Sequence, residues 1–183
     1  MSTEYKTVDS SKIIISELML PSHTNFSGKI HGGYILSLMD QIAFACGSKF
    51  SGNYCVTASV DTVNFLKPVE VGELLTMKAS VNYVGNSSMI IGIRVESENI
   101  QTGVIKHCNS SYFTMVAKDK AGNNTPVPGL ILTTLKEVSR FQNALRQISL
   151  KKEKEYQKTI ATFGSIENIL KSNDYKVKVD FEK

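Results

Sequence analysis

Hydrophobic and polar positions change their spacing several times along the chain, and each spacing predicts a different element. A run of β-branched residues, Ile13-Ile14-Ile15, predicts a first strand that reaches about Leu20, where Pro21 ends regular structure. Residues 34–46 are apolar around nearly the whole circumference of a helix rather than along one stripe. This segment therefore predicts a central helix that is enclosed on all sides.

From Tyr54 onward the spacing changes to two, which is typical of strands. Three more alternating segments follow, at 75–83, 89–95 and 104–117, with turn-forming residues between them. The predicted order is one strand, one buried helix and four strands in a meander. In the second strand, the two predicted faces are Val56, Ala58 and Val60 on one side and Cys55, Thr57, Ser59 and Asp61 on the other.

One apolar helix followed by long antiparallel strands is buried only if the sheet curls around it. The predicted fold class is therefore α+β, with an antiparallel sheet curled around one central helix, an arrangement known as the hotdog fold. A single sheet over a single helix leaves the sheet edges open. We therefore expect at least a dimer in which two sheets join edge to edge.

The chain after residue 130 predicts an appended segment. Thr134-Leu-Lys-Glu137 has the pattern of a capping box, and the apolar residues after it predict an amphipathic helix of about five or six turns. The tail predicts a short helix at 165–171, a turn at 173–174 and a strand at 175–181, and a poorly ordered extension fits it equally well. We divide the chain into a domain at 1–130 and a C-terminal extension at 131–183.

Composition and charge exclude several classes of protein. With 42% apolar residues, 21% charged residues and a net charge of +4, the chain is that of an ordinary globular protein without a nucleic-acid footprint. No stretch has the apolar run of a signal peptide or a membrane span. We expect a cytoplasmic protein with neither nucleic-acid nor membrane partners. The mild positive charge would suit an anionic, phosphorylated ligand.

Three cysteines, Cys46, Cys55 and Cys108, lack the short paired spacings of a zinc site or a disulfide framework. They are interpreted as core thiols in a reducing compartment. The sequence therefore predicts neither a metal site nor a cofactor.

The candidate chemistry centres on Asp40, which lies in the middle of the apolar helix. No Lys, Arg or His lies between His31 and Lys49 to neutralise it locally, and an unpaired carboxylate in such a place is costly. One interpretation is that Asp40 meets a cation or hydrogen-bond donors from another element. The preferred hypothesis is catalytic, because partial desolvation makes a carboxylate a stronger base toward water or a nucleophile toward an activated carbonyl.

Two further features precede Asp40. The pair Gly32-Gly33 stands at the predicted helix start, where free backbone N–H groups could hold an oxyanion, although a tight turn needing positive φ explains the glycines equally well. His31 is a candidate base or a packing residue. The amide of Asn25 could hydrogen-bond a reacting carbonyl or water, whereas most loop asparagines only stabilise turns. The combination within about 20 residues is what favours a hydrolase site.

The run Leu20-Pro-Ser-His-Thr-Asn-Phe-Ser-Gly-Lys-Ile-His-Gly-Gly-Tyr-Ile-Leu-Ser-Leu-Met-Asp40 closely resembles the cytosolic acyl-CoA thioesterases, including brain acyl-CoA hydrolase. The likeness continues through Val56-Thr-Ala-Ser-Val-Asp-Thr-Val-Asn-Phe65, Lys67-Pro68, Val71-Gly72, Gly85-Asn-Ser-Ser-Met89 and Ser97-Glu-Asn-Ile-Gln-Thr-Gly103, covering about residues 12–130. The resemblance implies a hotdog fold and hydrolysis of acyl-CoA to fatty acid and CoA. It implies that Asp40 is the catalytic acid residue and Asn25 the catalytic asparagine.

The same resemblance implies how the site is assembled. In that family the asparagine and aspartate come together across a subunit or domain interface, so a homodimer would hold two complete sites, and relatives are commonly hexamers built as trimers of dimers. Residues that resemble the CoA-groove region are Asn64, Phe65, Ser87 and Ser88, and His31 is a further candidate for substrate binding. The acyl chain length and the choice between water attack and a covalent anhydride stay open.

Two rival functions also fit the sequence. A hotdog hydratase or dehydratase would act on acyl thioesters with a histidine and an acid, and His31 is the candidate near Asp40. A non-catalytic acyl-CoA-binding regulator would use the fold as a sensor, but it would have no use for Asp40. Thiol release from acyl-CoA favours hydrolysis, a change in enoyl absorbance without thiol favours hydration, and binding without turnover favours the regulator.

Overall fold

A computed structural model describes residues 4–160 of the chain. The described residues fall into two compact units, one ending at Leu145 and the other beginning at Arg146. The elements are β1 (Tyr5–Thr7), α1 (Val8–Ser11), β2 (Ile13–Leu18), α2 (Gly32–Ser51), β3 (Tyr54–Val60), β4 (Glu73–Val84), β5 (Ser88–Asn99), β6 (Val104–Lys118), β7 (Gly129–Ile131) and α3 (Leu135–Ile160). The predicted boundary at residue 130 stays a prediction.

Five strands form one antiparallel sheet in the order β2-β4-β5-β6-β3. The predicted meander is therefore wrong for its first strand, because β3 does not pair with β4 but crosses to the far edge and pairs with β6. The physical reason is that α2 packs against all five strands, so the chain leaving the helix reaches the opposite edge of the sheet. Only β4, β5 and β6 follow one another as neighbours.

The helix α2 lies on one face of this sheet, as the hotdog fold requires, and that fold class is confirmed. Its inward side and the facing strand residues form the apolar core. The sequence predicts a helix enclosed on all sides. Within one subunit α2 is enclosed on one side only, and its other side carries exposed residues. Fully buried core residues include Met39, Ile42, Ala43, Cys46, Phe50, Leu75, Met77, Val81, Met89, Ile91, Val95, Phe113 and Met115, whereas the exposed side of α2 includes Leu36, Ser37, Asp40, Gln41 and Phe44.

The strand β3 contains an irregularity that the period of two did not predict. Thr57 pairs with Met115 and Ser59 with Thr114, so Ala58 is an extra residue in the pairing with β6. A bulge of this kind interrupts the alternation of faces. The predicted faces therefore hold only up to Thr57, after which Val60 pairs with the core residue Phe113.

The strand β1, before α1, pairs in parallel with β7, before α3. The predicted capping box is confirmed at its first bond, in which the Glu137 N–H donates to Thr134 Oγ1 at 3.2 Å. The Glu137 carboxylate binds Thr133 instead of closing the box on Thr134. The predicted tail elements at 165–181 lie outside the described residues.

All three cysteines are buried and unpaired, which confirms their assignment as core thiols. Burial raises the pKa of Cys46 to about 12, so this thiol stays protonated at neutral pH. No helix among residues 4–160 is long and apolar enough to cross a membrane.

Candidate active site

The side chain of Asp40 leaves the exposed side of α2 toward the edge strand β3. Its Oδ1 accepts a hydrogen bond of 2.6 Å from Thr57 Oγ1. Among the described residues Oδ2 has no hydrogen-bond partner, and no ion pair involves Asp40. The expectation of a hydrogen-bond donor from another element is therefore met by Thr57 of β3, and the carboxylate keeps one oxygen for a ligand.

Asp40 lines an open hollow of about 540 Å³ between α2 and β3. The wall combines aromatic and apolar side chains with the Asp40 and Thr57 oxygens, and Phe44 packs edge-on against Tyr54 with 5.5 Å between ring centroids. Asp40 is exposed in the single subunit, so the expected desolvation is not supplied by this chain's own fold. The lining residues are Asp40, Gln41, Phe44, Tyr54, Cys55, Val56 and Thr57.

The start of α2 is organised by His31, which is its N-cap residue. His31 Nδ1 accepts a hydrogen bond of 2.9 Å from the Gly33 N–H, so that donor, expected to be free for a ligand, is occupied. The Tyr34 and Ile35 N–H groups bond to the His31 carbonyl. Within residues 4–160 the Gly32 N–H has no such partner, which leaves it as the donor at this helix start that could meet a ligand.

The two glycines are explained by close approach and not by positive φ, which neither of them has. A Cβ on Gly33 would lie 3.0 Å from the His31 ring, and a Cβ on Gly32 would lie 3.3 Å from the Phe65 ring. Both distances are shorter than ordinary carbon contacts. The pair of glycines thus lets two rings close over the helix start, and Phe65 and Gly32, two predicted site residues, lie together.

Asn25 stands in the turn that precedes α2 and is half-buried. Its Oδ1 accepts hydrogen bonds from the Ser27 N–H and hydroxyl at 3.0 and 2.7 Å and from the Lys29 N–H at 3.2 Å. Within residues 4–160 it has no hydrogen bond to Asp40. One subunit therefore does not join the two residues, and its own bonds to Asn25 are those of a turn-stabilising asparagine.

The other predicted binding residues lie in two places. Asn64 and Phe65 are exposed on the segment after β3, where the Asn64 carbonyl accepts a hydrogen bond of 2.8 Å from Asn109 Nδ2. Ser88 begins β5 and pairs with Val116, while the neighbouring Met115 faces the core. The Ser88 side chain is therefore on the sheet face away from α2, and one subunit does not bring Ser87 and Ser88 to Asp40.

Thr57 is the functional candidate that the sequence reasoning missed. The alternation predicts Thr57 on the same strand face as Cys55, and that face is the one that packs on α2. The signal was therefore present, since a hydroxyl on the helix-facing side of the strand after α2 is within reach of that helix. What the sequence lacked was the register that puts Thr57 opposite Asp40.

A second charged group lies outside this site, where β4, β5 and β6 meet. Glu73 pairs with Lys106 at 2.7 Å and accepts hydrogen bonds from the Ser97 hydroxyl and from the Glu70 N–H. Burial alone would raise the pKa of Glu73, but these donors together hold it below its ordinary value of 4.5. Among residues 4–160 no cluster of three His, Cys, Asp or Glu side chains could hold a metal ion.

Comparison of the sequence with known proteins identifies the family of this chain. The sequence profile of the thioesterase superfamily matches residues 27–104. Protein VdlD of Helicobacter pylori is 45% identical over 77% of this chain and 80% of its own length. The Bacillus subtilis protein named "uncharacterized acyl-CoA thioester hydrolase YkhA" is 31% identical over 79% of this chain and 84% of its own. The chain belongs to the acyl-CoA thioesterase family.

Solved structures of this acyl-CoA thioesterase family agree in fold. An apo-hexameric acyl-CoA thioesterase superposes with a TM-score of 0.81 at 34% identity, over 83% of this chain and 97% of that one. An acyl-CoA hydrolase from Staphylococcus aureus, solved with butyryl-CoA, CoA and CoA disulfide, gives a TM-score of 0.78 at 28% identity, over 91% of this chain and 99% of that one.

The S. aureus hydrolase has also been solved as three alanine variants, which replace an asparagine, an aspartate and a threonine. By the numbers of those positions, the first two are 15 residues apart (43 minus 28) and the last two are 17 apart (60 minus 43). Asn25, Asp40 and Thr57 have the same residue types and the same two spacings, 15 (40 minus 25) and 17 (57 minus 40). The three positions that this chain's sequence and structure single out therefore match the three altered there.

Proposed function

We propose that this thioesterase hydrolyses acyl-CoA to a free carboxylic acid and CoA, with Asp40 as the general base or nucleophile. The observation that carries the proposal is the Asp40 carboxylate itself, which one hydrogen bond from Thr57 orients and which lines an open, partly apolar hollow. An oriented carboxylate with a free oxygen suits attack on, or activation of water toward, a thioester carbonyl. The mechanism calls for no metal or cofactor.

Two routes share this arrangement. In the first, Asp40 takes a proton from water, the water oxygen attacks the acyl carbon, the C–S bond breaks and the proton passes to the CoA thiolate. In the second, a carboxylate oxygen attacks the acyl carbon, CoA leaves as the thiolate, and water then hydrolyses the mixed anhydride to the acid and restores Asp40. In both, the donor for the carbonyl oxygen as negative charge develops on it is the Gly32 N–H of the second subunit, because Gly32 and Asp40 of one helix lie about 12 Å apart.

Asn25 completes the site from a second subunit. Within one chain the Asn25 side chain bonds its own turn, while Asp40 is exposed beside the edge strand β3. Pairing two sheets along β3 would cover the hollow, desolvate Asp40 and bring the partner's turn to it. The minimal active unit is a homodimer, and the hexameric thioesterase with the same fold supports a trimer of such dimers. Ser87, Ser88 and His31 remain candidates for CoA contact.

A thiol-release assay over acyl-CoAs from acetyl to palmitoyl, with Asp40→Asn as the comparison, tests the proposal. We expect turnover by the natural chain and a loss of kcat of at least about 100-fold in Asp40→Asn, because the neutral amide neither accepts the proton nor attacks. Unfolding temperature and CoA binding serve as controls and should change little. Near-normal turnover in Asp40→Asn would overturn the assigned role.

A further inference from the structure

Residues 61–66, here called the 61–66 segment, continue from β3 beside β6 without forming a regular strand. Its ends are fixed by backbone bonds of 2.9 Å, from the Asp61 N–H to the Tyr112 carbonyl and from the Leu66 N–H to the Cys108 carbonyl. Between these two points, the bond that the structure describes is a side-chain one, from Asn109 Nδ2 to the Asn64 carbonyl at 2.8 Å. Asn109 is thus the tie on the middle of the segment.

Asn109 is fully buried, on the face of β6 that also carries Phe113 and Met115. Its Oδ1 has no hydrogen-bond partner among the described residues. A buried amide that is only half satisfied is destabilising, whereas an apolar residue of similar size would avoid that cost. The amide at this position therefore contributes through its single donated bond and not through packing.

The hydrogen bond from Asn109 to the Asn64 carbonyl holds the backbone immediately before Phe65. The Phe65 ring lies against Gly32, where a Cβ would approach it to 3.3 Å, and 48% of the residue's surface is exposed. One side of the ring therefore covers the helix start, whose Gly32 N–H has no partner within the described residues, and the rest of the ring is open to a ligand. A carbonyl held one residue before Phe65 fixes the direction in which its side chain leaves the backbone.

We propose that Asn109 is a positioning residue, which through the Asn64 carbonyl holds the Phe65 ring over Gly32 at the thioester-binding end of α2. The inference rests on the proposed function for the role of the Gly32 N–H. It adds a buried residue that touches neither substrate nor Asp40.

The first test reads the ring position without activity. The chain contains no tryptophan, so Phe65→Trp places a single fluorescent indole at the segment. We expect Asn109→Leu in that background to lower the steady-state anisotropy and shift emission to longer wavelength. Ser111→Ala is the matched control, since Ser111 is buried on the same face and its hydroxyl reaches Asp61 O, at 3.4 Å, instead of Asn64. Unchanged fluorescence in a folded Asn109→Leu chain would overturn the inference even if the enzyme were inactive.

The second test is a double-mutant cycle in the thiol-release assay. Asn109→Leu should lower kcat/KM about tenfold in the natural chain and less than about twofold in a Phe65→Ala background, because its effect passes through that ring. Equal losses in both backgrounds would overturn the inference while leaving the proposed function intact. An inactive natural chain would instead overturn the proposed function. If Asn109→Leu does not fold, Asn109→Ala, which removes the donor and introduces no charge, replaces it in both tests.

Discussion

The hydrogen bond between Thr57 and Asp40 decides how the carboxylate is presented. A hydrogen bond to a charged group contributes about 1.5–3 kcal/mol to stability. The hydroxyl is close to both Asp40 Oδ1, at 2.6 Å, and Met115 Sδ, at 3.4 Å, and the shorter contact to an anion is the stronger one. With Thr57 in place, Asp40 keeps one orientation and its second oxygen stays available.

Replacing Thr57 tests this residue-scale role. Thr57→Val keeps the volume and removes the donor, so we expect kcat to fall about 10- to 100-fold, because Asp40 is no longer held in one orientation. Thr57→Ser keeps the hydroxyl and should retain kcat within about threefold. Steady-state thiol release measures both. Equal rates for the valine and serine variants would show that the hydroxyl does not orient Asp40.

Residues of this kind mark the limit of sequence-based prediction. Asp40 is found from its own helix, because an unpaired acid among apolar residues is a local pattern. Thr57 and Asn109 are not found, because their roles depend on strand register and on what lies across the fold. The Gly32-Gly33 pair is found but misinterpreted in part, since the His31 and Phe65 rings that require it approach from outside the local backbone.

At the scale of elements, His31 is the N-cap residue of α2, and its side chain accepts a hydrogen bond from the first turn. Losing an N-cap acceptor costs about 0.5–2 kcal/mol, and asparagine is a good N-cap residue. We therefore expect His31→Ala to lower the free energy of unfolding by about 1 kcal/mol and His31→Asn to restore most of it. Chemical denaturation measures the difference. Equal stability of the alanine and asparagine variants would contradict the capping role that the 2.9 Å bond to Gly33 indicates.

The strands β4, β5 and β6 are joined at one end by the Glu73–Lys106 ion pair and the Ser97 hydroxyl. The pKa of Glu73 is held below 4.5, so this carboxylate contributes stability above that pH and loses it as the pH falls through the folded-state pKa. Lys106→Met leaves the buried charge unpaired and should cost about 3 kcal/mol at pH 7.

Because protonation of Glu73 removes that unpaired charge, the cost of Lys106→Met should shrink toward zero as the pH falls through the folded-state pKa of Glu73, which lies below 4.5. Urea denaturation of both chains at several pH values measures it. The double variant Glu73→Leu, Lys106→Met is the control and should regain most of the stability at pH 7. A cost that does not depend on pH would show that the pair acts through packing alone.

The positions of the strands can be predicted from the alternation of hydrophobic and polar residues, but which strands pair with each other cannot. Alternation predicts strands near 75–83, 89–95 and 104–117, and the observed β4, β5 and β6 contain them. The path of β3 to the far edge is set by where α2 ends, and the extra residue Ala58 changes its faces without any local signal. The parallel pair β1–β7 joins residues more than 100 positions apart, which no periodicity reveals.

At the scale of the whole molecule, a single subunit does not bring the two proposed catalytic side chains together. Asn25 and Asp40 lie in the same chain without a bond between them, and Asp40 is exposed next to the open edge of β3. A symmetric dimer formed along that edge would give two equivalent sites, each with Asp40 from one subunit and Asn25 from its partner. If each site takes one residue from each subunit, mixing variants that each lack one of the two residues has a predictable effect on activity.

Mixing two inactive variants should therefore restore activity. When Asn25→Ala and Asp40→Asn chains exchange subunits in equal amounts, about half of the dimers are mixed, and each mixed dimer has one intact site and one doubly altered site, so about 25% of natural activity should return. Exchange under mild denaturant followed by thiol release measures it, with each variant exchanged against itself as the control. Activity no greater than the mean of the two parents after verified exchange would mean that each subunit supplies both residues of its own site.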